Sequence, residues 1–168
     1  MVSNKLKAYN KSIRASNVYD VAEVTPITKA NTLSKELKNN IFLKREDLQP
    51  VFSFKVRGAY NKISKIKEKG ENRPVIAASA GNHAQGVAYS AKKLGLKSII
   101  VMPITTPLIK INSVKNFGGK VVFFGDNFDE AYNYAIKLAK KENYSFIHPY
   151  DDKDVISGQG TIGKEIIE

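Results

Sequence analysis

From residue 41 onward, short apolar runs alternate with stretches whose apolar residues recur every three or four positions. IFLKRE (41–46) predicts a strand. Ser53 reads as the N-cap of a helix reaching Lys69, with Val56, Ala59, Tyr60, Ile63 and Ile66 as one buried stripe and Gly70 as the stop. PVIAAS (74–79) is a short apolar strand, and NHAQGVAYSAKKLG (82–95) a helix closed by Gly95. KSIIVMP (97–103) is a buried strand ended by Pro103. TPLIKINSVKNFGG (106–119) opens a helix with Pro107 at its first position and stops at paired glycines. KVVFFG (120–125) is the next strand. NFDEAYNYAIKLAKKEN (127–143) is a helix with Asp and Glu in its first turn and Lys in its last, as the helix dipole favours. SFIHP (145–149) is a short strand, and DKDVISGQGTIGKEIIE begins another helix. Nearer the start, VYDVAEVTPIT (18–28) reads as a helix plus a docking turn.

This alternation predicts an α/β fold, a parallel sheet with helices on both faces joined by right-handed crossovers. The spacing leaves the strand order open. The 168 residues suit one domain, or one domain and part of a second. No run approaches the ~20 apolar residues that cross a bilayer, and the start, MVSNKLKAYN, has no apolar core of a signal peptide. A soluble cytoplasmic protein is expected. With no cysteine, disulfides, zinc–thiolate sites, iron–sulfur clusters and cysteine nucleophiles drop out. Two histidines, His83 and His148, leave no basis for a metal site.

The net charge of +11 raises nucleic-acid binding as a possibility. Only Arg14, Arg45, Arg57 and Arg73 among the 27 cations are arginine, the usual reader of bases. The excess lies mostly in residues 1–73, a net +9 against +2 for the remainder, and is dispersed among asparagines. Lys62, Lys65 and Lys69 lie opposite Ile63 and Ile66 and read as a solvated helix face. A lysine-rich surface, without a nucleic-acid partner, is the favoured account.

Two strand–helix junctions carry chemistry, because ligands of open α/β sheets gather where helix N-termini point N–H groups outward. In Gln49-Pro50-Val51-Phe52-Ser53-Phe54-Lys55, Lys55 falls in a helix's first turn, where the dipole disfavours its charge and apolar neighbours desolvate it. A neutral amine suits Schiff-base chemistry; an ordinary surface lysine is the plainer alternative. Ser79-Ala80-Gly81-Asn82-His83-Ala84-Gln85-Gly86 supplies small residues and successive N–H groups, an anion site by type. It is neither a Walker loop nor a dinucleotide fingerprint. A tight turn capped by Asn82 explains it equally well, and satisfied structural histidines explain His83 and His148.

KREDLQPVFSFKVRGAY (44–60) resembles the cofactor-lysine segment of the fold-type II pyridoxal-phosphate enzymes, and SAGNHAQGVA (79–88) resembles their second signature. GDNFDEA (125–131) and GQGT (158–161) also sit where threonine dehydratases carry such strings. The resemblance runs from about Val24 to the C-terminus. Within the family, Val51-Phe52 before Ser-Phe-Lys is similar to the biosynthetic threonine dehydratases. The degradative dehydratases and serine racemases typically have Thr-Gly there.

The resemblance implies pyridoxal 5′-phosphate as cofactor. Lys55 would hold it through its amine and act as base on the substrate's α-proton. Phe54 would pack against the cofactor region, and Asn82 would hydrogen-bond the ring's 3′-oxygen. Ser79, Ala80, Gly81, Asn82 and His83 would receive the substrate carboxylate. The implied reaction converts L-threonine, with L-serine as a further candidate, to the 2-oxo acid and ammonia. From threonine the product is 2-oxobutanoate, in the first step of isoleucine biosynthesis. Related alternatives are a serine dehydratase or racemase, or a non-catalytic remnant or partner subunit of a split enzyme. The implied domains are residues 1–45, the N-terminal part of a larger domain; 46–148, a small α/β domain; and 149–168, the start of the remaining larger domain. The complete enzyme would be a homo-oligomer. The family's glycine-rich phosphate loop does not occur in residues 159–168, so a truncated chain with little or no activity alone is expected.

Overall fold

A computed structural model describes residues 4–168; residues 1–3 of the MVSNKLKAYN stretch lie outside the described residues. Its centre is a four-stranded parallel sheet of β3 (Val75–Ala78), β4 (Ser98–Met102), β5 (Lys120–Phe123) and β6 (Ser145–Phe146), in the order β5-β4-β3-β6. Side chains along a strand alternate between faces, so the apolar run of β3 is divided two ways. Val75 and Ala77 join Ile100 and Met102 against α3 (Lys55–Glu68), α4 (Asn82–Lys93) and α5 (Leu108–Asn116). Ile76 and Ala78 join Ile99 and Val101 against α6 (Phe128–Lys141). There Ala131, Ala135 and Ala139, at spacings of four, let the helix lie close on the sheet. Both faces are covered, as the continuous apolar strands predict.

The helix ends follow local chemistry. Gly70, Gly95 and Gly118 terminate α3, α4 and α5 in the left-handed region, at φ 78°, 69° and 85°. Asn127 Oδ1 accepts from Glu130 N at 3.0 Å while the Glu130 carboxylate accepts from Asn127 Nδ2 and Asp126 N. The GDNFDEA string is therefore a helix cap. Pro107 stands one residue ahead of α5 rather than inside it.

Three further expectations need correction. The segment 41–46 does not join the parallel sheet: β2 (Phe42–Lys44) pairs antiparallel with β1 (Ile27–Lys29) in a separate two-stranded ribbon. Phe42 and Leu43 remain exposed, so this strand lacks the two covered faces of a parallel one. Residues 18–28 contain no helix; Val18, Val21 and Ala22 turn against Val51, Val56 and Tyr60, and the chain then extends into β1, Pro26 favouring the extended form before it. The first 40 residues also hold two helices, α1 (Asn4–Arg14), with Leu6, Tyr9 and Ile13 at helical spacing, and α2 (Asn31–Glu36), too short for a stripe. Lys62 and Lys65 are not a free solvated face. They bond to Asp152 and Asp154 at the start of α7 (Lys153–Ile167), with contacts of 2.7–3.3 Å.

α3 and α7 cross at glycines. A Cβ on Gly158 would stand 2.6 Å from Arg57 O and 2.8 Å from Gly58 Cα. GQGT is thus a contact between backbones. Alongside, the fully buried Arg57 is gripped from two sides. Its Nε and Nη2 donate to the Glu46 carboxylate, both at 2.8 Å, and Nη1 and Nη2 donate to Glu165 on α7. Thr161 Oγ1 and Glu23 O accept at 3.1 and 3.0 Å. Lys44 of β2 also pairs with Glu165. Burial opposes the Arg57 charge, but the bonds and charges of Glu46 and Glu165 overcome it and raise the pKa. Burial likewise opposes the Glu165 carboxylate, which Arg57 and Lys44 nevertheless hold below the ordinary value of 4.5.

Gly158→Ala should push the two helices apart and cost about 1–3 kcal/mol in urea unfolding, the usual penalty of overpacking. Glu165→Gln should cost about 3–5 kcal/mol at pH 7, as breaking a buried pair does. Because the Glu165 pKa is lowered on folding, its contribution is complete above about pH 4.5 and fades as pH falls through the folded value. The variant should accordingly show a shallower loss of stability in acid.

Candidate active site

The chain reaches α3 through a strained turn. Phe52 lies at φ 57°, a conformation costing a non-glycine residue about 1–2 kcal/mol, and its N–H donates to Gln49 O at 2.7 Å. Buried Gln49 holds the turn by accepting from Glu23 N at 3.0 Å and donating to Glu23 O at 2.8 Å. The N-cap of α3 is Phe54, with no side-chain cap bond, and not Ser53 as expected; Ser53 Oγ instead accepts from Lys55 N at 3.3 Å in the turn leading into the helix.

Lys55 is the first residue of α3. Its Nζ donates to Pro149 O at 2.9 Å and stands 5.3 Å from the centroid of the Phe54 ring. Burial lowers its pKa, since a partly desolvated ammonium is disfavoured.

The second junction follows β3. Ser79 Oγ accepts from Gly81 N at 3.1 Å, shaping the bend. The N-cap is Gly81, with no side-chain cap bond; Asn82 is the first helical residue, exposed and not a cap. α4 has no acidic residue in its first turn, where its N–H groups lack helical partners. His83 is buried, with Nε2 3.0 Å from Ile147 O. A carbonyl oxygen only accepts, so Nε2 carries the proton. Burial first, then the charges of Lys55 and His148, push the His83 pKa down to about 4, against the favourable bond to Ile147 O. His83 is only half satisfied, because its enclosed Nδ1 has no partner among the described residues. His148 is the structural histidine expected: its Nδ1 accepts from Asp151 N at 2.8 Å and Tyr150 N at 3.3 Å.

Gly86 lets the two junctions meet. A Cβ there would lie 3.0 Å from both the carbonyl carbon and oxygen of Lys55. Lys55 and His83 consequently close on the same stretch, Ile147 to Pro149. No hydrogen bond joins Lys55 to Ser79, Ala80, Gly81 or Asn82 among the described residues; the loop lies beside the amine rather than bonded to it. Two features escaped the sequence. The Pro149 acceptor is a main-chain group with no signal in residue type. Arg57 had one available sign, a cation next to the apolar stripe of α3. A cavity of about 410 Å³ lies elsewhere, between α1 and α7, lined by residues including Tyr9, Ser12, Asp154 and Ser157. Among the described residues no cluster suited to a metal ion occurs, and no helix is long and apolar enough to cross a membrane.

A lowered amine beside an anion-ready loop, both at the carboxyl edge of a parallel sheet, defines a class of protein that family comparison confirms. The chain belongs to the pyridoxal-phosphate dependent enzyme family, whose model matches residues 18–168. More narrowly, it is 57% identical over 158 residues to threonine dehydratase 1 biosynthetic, chloroplastic, of Solanum lycopersicum, covering 94% of this chain and 26% of that one. It is 56% identical over 153 residues to the biosynthetic L-threonine dehydratase of Haemophilus influenzae, covering 91% and 30%. The processed form of threonine deaminase isoform 2 from Solanum lycopersicum superposes with a TM-score of 0.91 at 51% identity, covering 99% of this chain and 46% of that structure. Maize serine racemase follows the same fold at 30% identity and a TM-score of 0.87, over 94% and 48%. The chain thus spans about a quarter to a third of the curated relatives it matches.

A neutral, buried His83 gives a pH signature. Its pKa is lowered on folding, so its contribution is complete above the ordinary value of 6.5 and is lost as pH falls toward about 4. Urea unfolding should show stability falling from pH 6.5 to 5, and His83→Gln should flatten that segment.

Proposed function

We propose that this chain is the cofactor-lysine portion of a threonine dehydratase, which converts L-threonine to 2-oxobutanoate and ammonia in isoleucine biosynthesis. The observation that carries the reading is Lys55: a partly desolvated amine heading α3, whose main chain packs against Gly86 of α4. Relatives at 50–57% identity bearing that name set the substrate class. In this reading residues 46–148 form the smaller of two domains, with 1–45 and 149–168 belonging to the larger. The complete enzyme is a cytoplasmic homo-oligomer acting on L-threonine in preference to L-serine.

The residues present fit pyridoxal phosphate. An amine with a lowered pKa suits capture of an aldehyde, and the exposed Asn82 amide has no hydrogen-bond partner among the described residues. When bound, the cofactor supplies an electron sink for charge developing at the substrate's α-carbon. Lys55 Nζ would hold it and, once released, take the α-proton; Pro149 O receives that Nζ in this structure. Phe54, beside the amine, would shield the cofactor region from water. The first-turn N–H groups of α4, with Ser79, Ala80, Gly81, Asn82 and His83, would orient the substrate carboxylate. Asn82 Nδ2 would donate to the ring oxygen. Loss of the β-hydroxyl as water, then hydrolysis of the remaining carbon–nitrogen bond, balances threonine against the 2-oxo acid and ammonia.

The full-length gene product supplied with pyridoxal phosphate should form 2-oxobutanoate from L-threonine faster than pyruvate from L-serine. Lys55→Ala should lower that rate by roughly 10⁴-fold or more, in the range expected for loss of a covalent and proton-transfer group. Faster turnover of serine, or racemisation without deamination, would overturn the substrate assignment.

A further inference from the structure

His83 keeps a polar ring where an apolar one would pack with less penalty. Its enclosed Nδ1 has no partner among the described residues, and an unpaired buried acceptor is costly. What the ring obtains in exchange is the bond from Nε2 to Ile147 O. That carbonyl begins a three-residue stretch held from three elements. Ile147 N donates to Ile76 O of β3 at 2.8 Å, His83 of α4 donates to Ile147 O, and Lys55 of α3 donates to Pro149 O at 2.9 Å. Between the ends, His148 Nδ1 accepts from the two N–H groups that follow Pro149, and Pro149 itself fixes φ. Ile147 and Pro149 are buried, so the stretch has little room to shift.

We propose that His83 is a positioning residue for Lys55, whose Nε2–H pins the Ile147 carbonyl and thereby sets the Pro149 carbonyl that receives the lysine amine. Neutrality is part of the device. A charged ring beside Lys55 would repel the ammonium, and burial keeps the imidazole uncharged at neutral pH. Without the pin, Pro149 O moves off and the amine swings toward water, where its protonated form is better stabilised and less nucleophile is present. The inference rests on Lys55 being the cofactor-holding amine, but its test does not require cofactor.

Trace acetylation with acetic anhydride, in the absence of pyridoxal phosphate, reads the nucleophilicity of Lys55 against the exposed Lys115 by peptide mass. His83→Phe should lower the Lys55 rate about tenfold, the equivalent of one pKa unit. His83→Gln, whose amide nitrogen reaches the place of Nε2, should hold it within about twofold of wild type, as a rescue by the retained donor requires. Equal rates in His83→Phe and wild type, or an equal fall in the Gln and Phe variants, would overturn the proposal. If the Phe variant does not fold, His83→Asn replaces it: its amide is too short to reach Ile147 O, so it should fall where Gln does not. In the wild-type protein, ¹⁵N spectra at pH 7 should show the His83 proton on Nε2 and a bare Nδ1. A proton on Nδ1 contradicts the mechanism whatever the variants do. If this series holds while pyridoxal phosphate fails to react at Lys55, the functional reading fails and the positioning role stands.

Discussion

A guanidinium with no exposed surface persists only if its charge and its donors are answered, and Arg57 is answered by Glu46, Glu165, Thr161 and the carbonyl of Glu23. Those partners come from three stretches of chain far from one another in sequence. The cluster therefore locks the extended chain before β1, the turn after β2, the first turn of α3 and the last turns of α7 into one arrangement. Lys44 extends it to β2 through Glu165. Replacing the whole cluster with apolar residues of matched volume need not cost stability. What the charges add is geometric selectivity, since any other packing of these segments would strand an ion.

Lys55 lies two residues from this anchor, and its placement follows from it. Arg57 ties the start of α3 to Glu46 and Glu165, and the turn leading into it carries Phe52 in the left-handed region. Two glycine contacts then bring other elements to α3. Gly158 admits α7 at Arg57 and Gly58, and Gly86 admits α4 at Lys55. The second approach brings the start of α4 to the start of α3. Burial of that amine, rather than an opposing charge, lowers its pKa. The site is thus built by packing first, and its chemistry is a consequence of where packing leaves Lys55.

How much of this is legible in the sequence depends on the range over which each feature is determined. The core strands and α3 to α7 are local patterns: continuous apolar runs such as VIAA, stripes such as Val56 to Ile66, and terminal glycines at 70, 95 and 118 all lie within a few residues of what they specify. The family motifs at 44–60 and 79–88 are equally local, and with them the candidates Lys55, Asn82 and His83. Strand β2 shows the limit, because its three residues match a strand anywhere and only Ile27–Lys29 decides its partner. The pairing of Lys62 and Lys65 with Asp152 and Asp154 spans about 90 residues, and local spacing shows only their helical face. His83 and Lys55 meet at carbonyls of residues 147 and 149, which carry no side-chain signature at all. Local readings find the elements and the reactive residue types; the contacts that tune them belong to the tertiary fold.

The claim on which the account turns is the proposal that Lys55 is the amine prepared to hold pyridoxal phosphate. Borohydride reduction of the protein mixed with pyridoxal phosphate, followed by peptide mapping, tests it directly. A pyridoxyl group concentrated on the peptide containing Lys55, formed at stoichiometric cofactor and displaced by no other lysine, is the predicted result. Label spread over exposed lysines such as Lys115, with Lys55 unmodified, would contradict it.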